Sequence, residues 1–180
     1  MVRKRGCRSV RLHVVSSCRT RGVLSLGALR LPCAIGRGGI VASKREGDGG
    51  TPAGRWRLTE VFWRSDHARR PRSSLPVRAI RPDDGWCDDP ADRNYNRRVR
   101  HPYPASAERL WRDDGLYDIV VVLDHNRRPR VRGGGSAIFI HVARKDFGGT
   151  EGCIALRARD LRLLLASVGR SAHITIGRHF

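Results

Sequence analysis

Apolar positions along the chain fall mainly in short alternating or continuous runs, and few recur at helical spacing. Residues 10–16 (VRLHVVS) and 23–35 (VLSLGALRLPCAI) read as two strands joined by a turn at Thr20-Arg21-Gly22. Gly36-Arg37-Gly38-Gly39-Ile40 reads as a tight turn. The Gly, Asp and Pro cluster that follows is a loop, and RWRLTEVFW, ending at Trp63, alternates as a strand. YDIVVVLDHN, residues 117–126, is a valine-rich run expected to form a central strand covered on both faces. GSAIFIHV, ending at Val142, is a second buried strand, and HITIG, ending at Gly177, is the last.

Two segments predict helices. SAERLWRDDG starts at Ser106, a suitable N-cap residue, but Arg109 three positions on gives no capping box. ARDLRLLLASVG places Leu161, Leu164, Leu165 and Val168 on one stripe and Gly169 at the C-terminal cap. Residues 64–100 are rich in Arg, Pro and Asp and have little periodicity. They predict a long irregular excursion docked through Trp86, Tyr95 and Val99, and long ordered loops of this kind often serve function. The pattern as a whole predicts a mixed or antiparallel β-domain with one or two short helices.

A length of 180 residues suits one domain, expected over residues 10–178 behind a basic tail at 1–9. The composition, 39% hydrophobic, is that of a globular chain. The formal net charge is +19, and only Lys4, Lys44 and Lys145 are lysines. Arginine in such excess suits bidentate contacts to phosphate or carboxylate, and also fits solvated faces coded by GC-rich codons. Either way the field attracts polyanions: nucleic acid, an anionic membrane or an acidic wall polymer.

Cys7, Cys18, Cys33, Cys87 and Cys153 are odd in number, lack any CxxC and stand too far apart for a disulfide framework. No Cys/His spacing suggests a metal site, so no metal and no cofactor are expected. No apolar run is long enough to span a membrane. The basic N-terminus has too long a charged region, and Arg30 and Pro32 interrupt the apolar segment behind it, so it does not read as a signal peptide.

The chemistry concentrates in FIHVARKDFGGTEGCIAL, residues 139–156. A thiol nucleophile needs a base, an oxyanion hole and access to a cleft. His141 closes a strand, a glycine-rich turn follows, and Cys153 stands beside Gly152. A loop folding back would bring thiol and imidazole together. The amides of Gly152 and Cys153 would then form the oxyanion hole. A His-paired thiol is expected to have a lowered pKa. The competing reading takes Cys153 as a small buried hydrophobe and His141 as a satisfied strand residue.

HVARKDFGGTEGCIAL resembles the signature of the L,D-transpeptidase catalytic domain (YkuD-like), a histidine followed by a Ser/Thr-x-Gly-Cys element, here Thr150-Glu151-Gly152-Cys153. Gly47-Asp48-Gly49-Gly50-Thr51-Pro52-Ala53-Gly54 is similar to the family's Gly-Asp-x-x-Thr-Pro-x-Gly turn. The two motifs stand in the family's order, and the resemblance covers nearly the whole chain.

The resemblance implies a mainly β, mixed sandwich or barrel-like fold with the cysteine on a loop at the mouth of the sheet. It implies acyl transfer on peptidoglycan stem peptides, with Cys153 attacking, His141 as general base and a thioester between. An amine acceptor would give a crosslink, and water would give carboxypeptidase activity. It also implies a cell-envelope or periplasmic location.

The chain departs from the family at three places. Glu151 stands where many relatives have histidine, the His-to-Cys gap is short, and Ala155 occupies the place of a frequent arginine. Arg157 is a candidate substitute. The family's usual partner for the histidine is a backbone carbonyl, and Glu151 and Asp146 are side-chain alternatives. Thr150, Glu151, Arg157, Tyr95, Asn96 and Arg97 are the candidate substrate contacts, with Asp88, Asp89 and Asn94 nearby in the excursion. The rival class, a basic binding module for nucleic acid or anionic wall polymer, draws on the arginines at 69–72 and 127–132. The absence of a nucleic-acid motif and the few aromatics disfavour nucleic acid. The pattern does not set an oligomeric state.

Overall fold

The computed structural model describes residues 7–14 and 19–177. Along the chain run β1 (Cys7–Val14), β2 (Arg21–Leu26), β3 (Leu29–Ala34), β4 (Ile40–Val41), β5 (Thr51–Pro52) and β6 (Gly54–Trp63). β7 (Val77–Ala79), β8 (Asp84–Cys87), β9 (Arg97–Arg100) and β10 (Ala107–Arg109) follow. Then come β11 (Ile119–Leu123), β12 (Phe139–Val142), β13 (Ile154–Leu156), α1 (Ala158–Ser167) and β14 (Val168–Gly177).

The main sheet runs β11-β12-β13-β3-β2-β1-β14-β6-β7, and β11 also pairs with β6. That extra pairing closes the sheet into a barrel with β7 attached beside β6, so every barrel strand has a neighbour on each side. The sheet is mixed. β1 with β14, β12 with β13 and β6 with β7 are parallel, and the other pairs in it are antiparallel.

Two cores lie on opposite faces of the barrel wall. One joins Leu24, Leu31, Leu58, Val121, Ile140, Ile154 and Ile174 to the apolar stripe of α1, Leu161, Leu164 and Leu165. The other joins Phe62, Trp86, Leu110, Tyr117, Val120, Val122, Phe139 and Cys153. Val121 points to the first core, and Val120 and Val122 to the second. The central run at 119–123 is therefore buried on both sides, as its unbroken apolar character requires.

Four expectations need correction. The single strand at 23–35 is a hairpin, β2 and β3, turning at Gly27, whose φ of +58° suits glycine. Pro32 is tolerated in β3 because β13 reaches only Cys33 and Ala34 on that side. The helix at Ser106–Gly115 does not form. Ala107–Arg109 is β10, paired antiparallel with β8, and Glu108 stands opposite Trp86. Pairing and burial outweigh the local propensity of Ala-Glu-Arg-Leu. The helix at 158–167 does form, but it ends at Val168, which is extended and opens β14, so Gly169 lies in a strand. Residues 64–100 are less irregular than expected, since β8 pairs with both β9 and β10 in a small sheet of its own. Trp86 and Tyr95 anchor it, each 1% exposed. Residues 1–6 of the expected tail, and the Cys18 thiol, lie outside the described residues, and β1 begins at Cys7.

Candidate active site

β12 and β13 lie side by side and parallel, Ile140 opposite Ile154 and His141 opposite Ala155. Strand alternation sends the two isoleucines into the α1-side core. It sends Phe139, His141, Cys153 and Ala155 to the other face. There His141, Cys153 and Ala155 line a cleft of about 560 Å³ beside the small sheet. Cys153 and His141 thus share one face and one cleft, brought together by strand register.

The cysteine loop is held from below. Gly152 has φ +129°, and a Cβ there would stand 2.7 Å from the carbonyl oxygen of Gly50. Only glycine fits both constraints. The buried Thr51 hydroxyl donates to the Gly152 carbonyl (2.9 Å) and accepts from the Gly36 amide (2.8 Å). The two glycine-rich motifs, far apart in sequence, therefore meet through one side chain. Thr150 closes the loop on itself. Its hydroxyl donates to the Cys153 carbonyl (2.6 Å) and accepts from the Gly152 amide (3.2 Å).

The thiol of Cys153 donates to the Ala137 carbonyl (3.1 Å) and accepts from the Phe139 amide (3.4 Å). Burial, with a further contribution from the charge of Glu108, pushes it up to about 12. This reverses the lowered pKa expected for a His-paired thiol. The charges acting most on it include the Glu108 carboxylate, and water is largely excluded.

His141 is 6% exposed. Its Nδ1 lies 2.8 Å from the Val142 carbonyl, which can only accept, so Nδ1 carries the proton and Nε2 keeps its lone pair. Burial pulls the imidazole down to about 4. The Tyr117 ring meets it edge-on at 5.4 Å between centroids. At neutral pH the site holds a thiol and a neutral imidazole. The histidine's polar partner is a backbone carbonyl. Asp146 instead accepts from the Gly148 amide, and Glu151 pairs with Arg37 at the rim (2.6 Å).

The remaining candidates scatter. Thr150 and Glu151 line the cleft. Tyr95 is buried, its hydroxyl donating to Glu46, a cleft residue. Asn96 is a buried junction. Its carbonyl oxygen accepts from Trp86 Nε1 (2.9 Å) and the Ala137 amide (3.2 Å), and its NH₂ donates to the His125 and Asn126 carbonyls. It thereby fixes the segment whose Ala137 carbonyl receives the thiol. Arg97 lines a different cleft, and Arg157 lies over the Phe147 ring at 5.2 Å. Asp88 lines the Cys153 cleft, and its buried Oδ1 has no hydrogen-bond partner among the described residues.

Sequence reasoning missed Glu108, Arg112 and Tyr117. Tyr117 donates to Glu108 (2.6 Å), the Arg112 guanidinium stands 5.1 Å over the tyrosine ring, and burial raises the Glu108 pKa. Their one signal was an unusual density of charge around Trp111 just before an apolar strand. Among the described residues no group of three His, Cys, Asp or Glu side chains is placed to share a metal ion. None of the helices there is long and apolar enough to cross a membrane.

The family model for the YkuD L,D-transpeptidase catalytic domain matches residues 16–176. Among solved structures the chain is similar to Mycobacterium tuberculosis L,D-transpeptidase 1, at 13% identity and a TM-score of 0.40, over 93% of this chain. The chain spans 61% of that protein's length. No curated protein matches it. By the match along nearly all of its length, the chain belongs to the L,D-transpeptidase catalytic domain family.

Proposed function

We propose that the protein is a cysteine-dependent acyltransferase acting on peptidoglycan stem peptides, with Cys153 as nucleophile and His141 as general base. The observation that carries this reading is the shared face of β12 and β13. It puts a thiol and an imidazole with a free Nε2 lone pair in one cleft.

The pair is neutral at rest, so proton transfer accompanies attack. As the Cys153 sulfur bonds to the stem-peptide carbonyl carbon, its proton passes to His141 Nε2. The Phe139 amide, already directed at the sulfur, favours the charge that develops there. Negative charge on the carbonyl oxygen is met by backbone amides at Gly152 and Cys153. The Gly152 amide donates at rest to the Thr150 hydroxyl, a bond it exchanges for the oxyanion as charge develops. The C–N bond then breaks, His141 returns the proton to the departing D-amino acid, and a thioester remains. A second stem's amine attacks the thioester and its proton passes through His141. A crosslink forms and the thiol is regenerated. This substrate places the working protein in the cell envelope or periplasm.

The test is intact-mass analysis with a disaccharide-tetrapeptide, wild type beside Cys153→Ala. Wild type gains a thioester-sized adduct or releases D-alanine, and the variant does neither while keeping its fold. Addition of an acceptor amine then separates crosslinking from hydrolysis. Absence of both adduct and D-alanine in folded wild type would overturn the assignment. His141→Gln is expected to slow acylation without unfolding the domain.

A further inference from the structure

A second cleft, of about 510 Å³, shares no lining residue with the first. Arg57, Arg97, Arg127, Arg128 and Arg130 line it, against a single carboxylate, Asp124. That carboxylate accepts from the Arg57 backbone amide (2.7 Å). Two of the arginines are anchored. Arg130 donates to the Tyr95 carbonyl (2.7 Å), and Arg127 lies 3.6 Å from Glu60 and over the Trp86 ring. The side chains of Arg57, Arg97 and Arg128 are exposed and have no hydrogen-bond or ion-pair partner among the described residues.

Five guanidiniums around one small concavity repel each other unless anions come between them. Guanidinium forks fit phosphate oxygens bidentately. A chain carrying one charge per repeat supplies several such groups at close spacing. No exposed aromatic ring lines the cleft, since Trp86, under Arg127, is only 1% exposed. Sequence-tolerant binders of single-stranded nucleic acid commonly pair a basic groove with such aromatic platforms.

We propose that this cleft binds a base-free phosphodiester polymer, a polyol-phosphate chain, through Arg57, Arg97 and Arg128, with Arg127 and Arg130 as a fixed floor. It would hold the domain on a phosphate-bearing wall polymer while the Cys153 cleft faces its own substrate. Phosphate binding at this cleft does not depend on the acyl-transfer reading, whereas the wall setting rests on it.

The test is fluorescence anisotropy with a labelled glycerol-phosphate oligomer across a salt series. Two triple variants of equal charge are compared, Arg57→Gln/Arg97→Gln/Arg128→Gln and Arg69→Gln/Arg70→Gln/Arg72→Gln. All six side chains are exposed, so both variants should fold. Wild type is expected to bind with a steep salt dependence. The first variant should weaken binding at least tenfold and lower the salt slope by about three, one for each phosphate no longer neutralised. The second should leave the slope unchanged. Equal losses in the two variants would reduce the effect to the diffuse +19 field and overturn the proposal. So would no measurable binding. Tighter binding of a single-stranded oligonucleotide of equal charge would replace the polymer with nucleic acid, also overturning it.

Discussion

Thr51→Val tests whether one hydroxyl couples the two glycine-rich motifs. Valine has nearly the shape of threonine, so packing is kept and both hydrogen bonds are lost. The Gly36 amide and the Gly152 carbonyl would then be left without their partner in a buried place. Each orphaned buried group costs about 1–3 kcal/mol, which gives roughly 2–6 kcal/mol for the pair. Thr51→Ser is the control. It keeps the hydroxyl and loses one methyl, at about 1 kcal/mol. Urea unfolding followed by tryptophan fluorescence reads the difference. With a denaturant slope of roughly 1–3 kcal/mol/M, the valine variant's midpoint should fall by about 1 M or more. If Cys153 is acylated as proposed, its acylation by the stem-peptide donor should slow as well, because the strut under the Gly152 carbonyl is gone. A valine variant no less stable than the serine variant would refute the reasoning.

Three more expectations concern the cleft. His141 is held down to about 4, whereas an unfolded imidazole titrates near 6.5, so its neutral burial contributes stability that is complete above pH 6.5. That contribution, on the order of 3 kcal/mol, is lost as pH falls through 4. Denaturation at pH 7 and pH 4 should show this loss in wild type and a smaller one in His141→Gln, and equal losses would argue against it. Glu108→Gln removes a negative charge that raises the Cys153 thiol while keeping an acceptor for Tyr117. The midpoint of Cys153 alkylation against pH should move down, and an unmoved midpoint would show that Glu108 does not act on the thiol. Gly152→Ala meets both a φ of +129° and the Gly50 carbonyl, at a cost of roughly 1–3 kcal/mol or more. Its thermal midpoint should drop and its acylation should slow, and wild-type values for both would remove the close contact from the account.

Most strands that build the barrel were legible because their burial is local and periodic, but the three-residue β13 was not read as one. VVV at 120–122 had to be covered on both sides, and FIHV had to end a buried strand. The hairpin at 21–34 was not, because Gly27 breaks an apolar run too briefly to register as punctuation. Cys153, His141 and Gly152 stood out because thiol, imidazole and an obligatory glycine are rare neighbours. Glu108 and Tyr117 were hidden for a different reason. Their meeting depends on β8, a strand whose four residues are buried against a distant part of the chain. Tyr95 and Asn96 looked like ligand contacts because they are polar and aromatic in a loop. They are spent on bonds to Glu46, Trp86 and Ala137, and no residue-by-residue pattern reveals such partners.

Closure of the barrel by β11 and β6 divides labour between two parts of the chain. Cys153 and His141 sit on barrel strands and the turns that join them, with Thr51 beneath on the short β4–β5 pair. Glu108, Arg112 and Asp88 stand on the stretch between β7 and β11. Under the proposed acyl transfer, a lineage could rewrite that stretch to favour a new donor or acceptor while Cys153 and His141 kept their places. Engineered exchange of residues 80–116 between relatives would then be expected to transfer selectivity and leave the reaction type alone.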